Sequence, residues 1–227
     1  MFDAANLPTF DCSELKTFET DGLAAVIESH RDVRVELAEN YVHRRRPARI
    51  ETRDLRDVGN AAKHLQHLPE AGETLHAVTR GNYQHADIIP AVLTLAGPSA
   101  RFSRVDVATL GFSAKNAADF LDWIDRGLIS RLCFVASAYF RSMKDGGDVY
   151  EAFAAQLLSR PGGHRIAACR SHVKLIGMEL ADGRAFVVES SANLRSCRTI
   201  EQFTMTADRG VLDFHRAWMR EVFDANR

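Results

Sequence analysis

From residue 75 onward, apolar and polar positions fall into short blocks that alternate between a two-residue and a 3.6-residue period. Leu75–Val78 reads as a short strand, and 86–95 as a helix that tolerates Pro90 only in its first turn. Phe102, Val105 and Val107 place a strand over 102–110. Ser113 is an N-cap before Ala117, Phe120, Leu121 and Ile124, which recur at helical spacing, and Gly127 ends that helix. A strongly apolar strand over 132–140, a helix over 149–158 and a short strand over 166–169 follow. Lys174–Leu180 and Arg184–Glu189 then form a hairpin around Ala181-Asp182-Gly183. After a third apolar run at 203–205, Asp208 caps a last helix with Leu212, His215, Met219 and Val222 on one face. Strand–helix alternation predicts an α/β fold, a largely parallel sheet with helices on both faces. The first 70 residues are less regular, with a mixed apolar and acidic stretch over 15–30, a short strand over 33–37 and a helix over 57–66. They read as an N-terminal extension, residues 1–70, ahead of one domain at 71–227.

The candidate chemistry lies in Ser171–Gln202. His172 and Lys174 are two apart, so on a strand their side chains share a face. The second hairpin strand runs into Ser190-Ser191-Ala192-Asn193, and Glu201 opens the next apolar run. Folding the hairpin gathers an imidazole, an ammonium, a hydroxyl, a carboxamide and a carboxylate at one sheet edge, a set suited to a phosphodiester.

His172-x-Lys174, then Ser190-Ser191-x-Asn193, then Glu201 resembles the His-x-Lys-x4-Asp and Gly-Ser-x-Asn signature of the phospholipase D superfamily, the HKD motif. The likeness is to its single-motif, nuclease-like branch, nearest to small prophage-type proteins, and extends over 75–223. It departs at two positions: the aspartate place holds Glu179, or Asp182 in a longer hairpin, and the glycine place holds Ser190, which adds a Cβ in a loop that approaches ligand. The resemblance implies a phospholipase D-like mixed, largely parallel sheet and a metal-independent phosphodiesterase, without cofactor. By the same resemblance His172 attacks phosphorus to give a phosphohistidine, and a second motif histidine protonates the leaving oxygen. Lys174 and Asn193 hold the non-bridging oxygens, Ser191 adds a hydrogen bond, and Glu201 fixes the histidine tautomer. With one motif per chain, the site is expected to be shared by a homodimer. A nuclease, with DNA the first candidate substrate, is the leading reading. A nucleic-acid-binding dimer with weak or no turnover is the second, and a lipid phosphodiesterase the third.

Composition changes this picture little. The chain has 227 residues, 46% of them hydrophobic, and a net charge of −1, so no global charge announces a nucleic-acid partner. Locally, six arginines between 44 and 56 face only Glu51 and Asp54, a net +4. Arg44, Arg45 and Arg46 lead this segment, which reads either as a phosphate-contacting arm or as a solvated basic surface. Arg141, at the end of a central strand, is a further phosphate candidate. Cys12, Cys133, Cys169 and Cys197 follow no disulfide-framework spacing, and the start carries neither a cationic nor an apolar leader region, so a cytoplasmic location is expected. Cys169, His172 and Cys197 are too few and too scattered for a zinc site. The longest apolar stretch, 88–96, is too short to cross a bilayer.

Overall fold

The computed structural model describes residues 50–56, 61–80, 83–197 and 200–226. The chain divides into a unit at Met1–Asp32, outside the described residues, and a second at Val33–Arg227, to which everything below refers. Strands β1 (Ile50–Arg56), β2 (Thr74–Arg80), β4 (Phe102–Thr109), β5 (Leu132–Ser137), β6 (Arg165–Cys169), β7 (Leu175–Leu180), β8 (Ala185–Ser190) and β10 (Glu201–Thr206) make one sheet. Its order is β1-β2-β10-β8-β7-β4-β5-β6. Two short strands, β3 (Tyr83–Gln84) and β9 (Ser196–Cys197), pair apart from it. The helices are α1 (Ala61–Leu65), α2 (Ile88–Ala96), α3 (Ala114–Asp125), α4 (Ala138–Ser142), α5 (Lys144–Leu158) and α6 (Arg209–Ala225).

The sheet is mixed, but it is not largely parallel as the strand–helix alternation predicts. Only β1–β2, β4–β5 and β5–β6 run parallel, while β2–β10, β10–β8, β8–β7 and β7–β4 are antiparallel. The reason is the hairpin, which enters the middle of the sheet and brings β10 with it. β1 pairs with β2 along Ile50–Arg56, so the sheet begins ahead of the expected boundary at residue 70. The predicted strand over 132–140 stops at Ser137, whose hydroxyl accepts the Tyr139 N–H and caps α4. α5 begins at Lys144, five residues ahead of the expected start at Val149, despite Gly146 and Gly147. Those glycines permit close packing: a Cβ on Gly146 would collide with the Phe140 carbonyl.

Two cores sit on opposite faces of the sheet. The larger holds Ile88, Phe120, Phe134, Phe153, Val188 and Phe203 beneath α2, α3 and α5. The smaller holds Val187, Leu175, Leu212, Trp218 and Met219 beneath α6. Local signals perform as expected: Ser113 and Asn116 close a capping box, the Asp208 carboxylate accepts the Val211 N–H, and Gly127 and Gly183 take positive φ. α6 lies close to β7 because residue 177 is glycine. A Cβ there would stand 2.7 Å from Leu212 Cδ1.

An ion network fastens α6 to the sheet. Fully buried Asp106 on β4 accepts hydrogen bonds from Arg104 Nε and from Arg216 Nε of α6, both at 2.8 Å. Arg216 Nη1 also donates to Glu179 at 2.7 Å, and Arg209 donates to the same carboxylate at 2.6 Å. Arg209 and then Arg216 hold the Glu179 carboxyl down at about 2, against the opposing effect of burial.

Candidate functional site

The motif residues meet where the start of β7, the end of β8 and the start of β10 lie side by side. β6 ends at the far edge of the sheet, so the connection 170–174 crosses the ends of β5 and β4 before β7 begins. Three strand spacings make that about 14 Å, which the chain from Cys169 to Leu175 covers at about two-thirds of its full extension. His172 therefore lies in this crossing segment and not on a strand, and Lys174 stands immediately before β7. His172 is exposed. Lys174 Nζ donates to the His172 carbonyl at 2.9 Å, and the Lys174 carbonyl accepts the Ser190 N–H at 3.2 Å.

The Ser190–Asn193 turn is tied to β10. The Ser191 hydroxyl donates to the Glu201 carboxylate and accepts the Gln202 N–H at 3.0 Å, while the Ser191 N–H donates to the Gln202 carbonyl at 3.0 Å. Ser190, at the glycine place, turns its hydroxyl inward, donating to the Gln202 carbonyl at 3.2 Å and accepting the Ala192 N–H at 2.8 Å. Asn193 follows, its Oδ1 buried without a hydrogen-bond partner. Register puts Lys174, Ser190 and Glu201 on the face of Ile176, Val188 and Phe203, the larger-core face.

The two candidates for the aspartate place are at the other end of the hairpin. Glu179 belongs to the ion network above, and Asp182 accepts Arg184 Nε at 2.9 Å in the turn. Arg141 extends from α4 to α5, where it pairs with Glu151 at 2.7 Å and lies 4.8 Å over the Tyr150 ring. No contact joins it to the motif among those described. Arg44, Arg45 and Arg46 lie outside the described residues. Cys169 is buried, and burial pushes its thiol up to about 11. Among the described residues, no three of His, Cys, Asp and Glu stand together as a metal-holding group. No helix among them is long and apolar enough to cross a membrane.

Sequence reasoning missed His85. It is buried directly before α2, edge-on to Phe203 with ring centroids 6.0 Å apart. Burial pulls its pKa down to about 4, against the field of Glu201, so a neutral imidazole backs the Ser191–Glu201 pair at neutral pH. Nothing in the local pattern marks it, because β2 and β10 come together only in the fold. His215, on the apolar face of α6, is buried and has two polar partners. Trp218 Nε1–H donates to its Nδ1 at 3.1 Å, and its Nε2 reaches Glu189 at 3.2 Å. On that second face, a cleft of about 610 Å³ reaches the motif turn, lined by His76, Glu189, Ser190, Ser191, Gln202 and Thr204.

No protein-family model matches the chain, and no curated protein matches it in sequence. Among solved structures, a mutant of yeast tyrosyl-DNA phosphodiesterase 1 is similar at a TM-score of 0.33 and 11% identity. The match covers 58% of this chain and 31% of that one.

Proposed function

We propose that this chain is a metal-independent phosphodiesterase acting on nucleic acid, DNA first, through a phosphohistidine in a site shared by a homodimer. The observation that carries the reading is the gathering of Lys174, Ser191 and Glu201 on the ends of three adjacent strands, with His172 exposed at the same end. In the first step, a His172 ring nitrogen attacks phosphorus and the bond to the leaving oxygen breaks. The departing alkoxide takes a proton from His172 of the partner subunit. Water then attacks the phosphohistidine, its proton returns to the partner's His172, and the P–N bond breaks to free His172. Lys174 and Asn193 face the charge that develops on the non-bridging oxygens, and Ser191 is oriented through Glu201.

One observation favours the second reading, a nucleic-acid-binding dimer without turnover: the Ser190 side chain fills the loop where the family pattern has glycine. Bis-p-nitrophenyl phosphate separates the two. Hydrolysis that persists in EDTA and is lost in His172→Ala is expected. Activity that vanishes in EDTA and returns with zinc or magnesium would refute metal independence, and no activity at all leaves the binding reading.

A further inference from the structure

Four of the six large apolar side chains exposed among the described residues lie on segments that adjoin the motif end of the sheet. Tyr139 is 65% exposed, Met143 48%, Val173 41% and Ile200 68%. Val173 stands between His172 and Lys174, and Ile200 directly precedes Glu201. Tyr139 is the second residue of α4, just beyond β5, and Ser137, two residues earlier, pairs with Cys169 at the end of β6. The next residue of β6's chain is Arg170, which opens the crossing segment that carries His172. Tyr139 thus stands by the start of that segment, at the same end of the sheet as Lys174, Ser191 and Glu201. Exposed cations accompany this ring: Lys144, Arg170 and Arg195 are all exposed.

We propose that this ring, with Tyr139 as its aromatic member, is a stacking platform for the unpaired bases of a single-stranded nucleic acid, so that the substrate is a single strand and not an intact duplex. The proposal rests on the phosphodiesterase reading above and names its substrate class. Cations meet the phosphate backbone, and an open aromatic face meets the bases, which a single strand offers and a duplex keeps stacked on its neighbours. The shared-site dimer brings a second copy to His172, whereas Tyr139 lies beyond the end of β5, two strand positions from β7, where a nucleic-acid strand leading into the site can meet it.

The test uses the full chain as His172→Ala, which prevents turnover, and fluorescence anisotropy on a labelled single-stranded oligothymidylate and on a duplex of equal length. Adding Tyr139→Ala is expected to weaken single-strand binding about ten-fold or more, the range for removing one base–aromatic stack. Tyr139→Phe should stay within about two-fold of the parent, since the ring is kept, and duplex binding should change little. Equal single-strand affinity with and without the ring overturns the proposal. So does a Tyr139→Ala chain that keeps its affinity but changes its oligomeric state, which would make the ring a subunit contact. If the native chain fails to hydrolyse bis-p-nitrophenyl phosphate, the enzymatic reading falls, while the binding comparison still decides the platform.

Discussion

Arg216 and Arg209 both bond Glu179, yet their removal should cost very different amounts. The Arg216 side chain is 10% exposed and also serves Asp106, whose own exposure is 0%. Arg216→Met keeps much of the packed stem but removes two charge-assisted hydrogen bonds, each worth about 1.5–3 kcal/mol. Asp106 retains Arg104, and Glu179 retains Arg209, so neither carboxylate is stranded. The loss should then fall near the lower end of the range for breaking a buried pair, about 3 kcal/mol. For a domain of this size that lowers Tm by about 6–12 °C. Arg209 is 44% exposed and touches only Glu179 and a turn carbonyl, so Arg209→Met should cost less than about 1 kcal/mol, or roughly 2–4 °C. Acid adds a second signature. The folded-state pKa of Glu179 is depressed, so its contribution is complete above about 4.5 and lost as pH falls toward about 2. Thermal unfolding followed by circular dichroism between pH 3 and 7 should show a shallower acid-side fall in Arg216→Met than in the native chain. Equal Tm losses for the two variants would refute the idea that the buried network fastens α6.

Three further outcomes are expected. Gly177→Ala should destabilise by about 1–3 kcal/mol through overpacking, and Leu212→Ala, itself costly, should remove most of that penalty in the double variant. Additive losses in chemical denaturation would show that the two do not touch. Subunit exchange between native and His172→Ala chains should leave about a quarter of native activity per dimer if the site needs both histidines, since random pairing yields about that fraction of wholly native dimers. Half of native activity would show that each chain works alone. Replacing Arg44, Arg45 and Arg46 with alanine should flatten the log–log salt dependence of DNA binding by about one unit per lost phosphate contact. An unchanged slope would return the segment to ordinary solvated surface.

What was legible in the sequence was local. Ser113, Asp208, Gly127 and the Ala181–Gly183 turn act within a few residues, and their chemistry decides the outcome there. The arrangement of the sheet was not legible, because it depends on which distant strands meet. An alternating polar pattern in β10 is the same whether the strand lies at an edge or, as here, between β2 and β8. His-x-Lys read as strand spacing, but the crossing from β6 to β7 takes His172 out of regular structure. The early start of α5 was hidden because Gly146 and Gly147 argue against a helix on propensity alone, and only the approach of α4 explains them. The motif residues could be named from spacing, whereas His85 needed the meeting of β2, β10 and the start of α2.

The place of β10 has a bearing on how the protein is made. Chains emerge from the ribosome N-terminus first, and Leu75 on β2 waits for Met205, 130 positions later, before it gains its partner on that side. Until then β1 and β2 are cut off from the other strands, because β10 is what bridges them to β8. His172 and Lys174 appear in the growing chain well ahead of Glu201, so a half-made protein carries the imidazole and the ammonium but not the carboxylate that secures Ser191. The strand that supplies this carboxylate also joins the two parts of the sheet. A nascent chain thus acquires the assembled site and the complete sheet in the same event, and shorter translation products have neither.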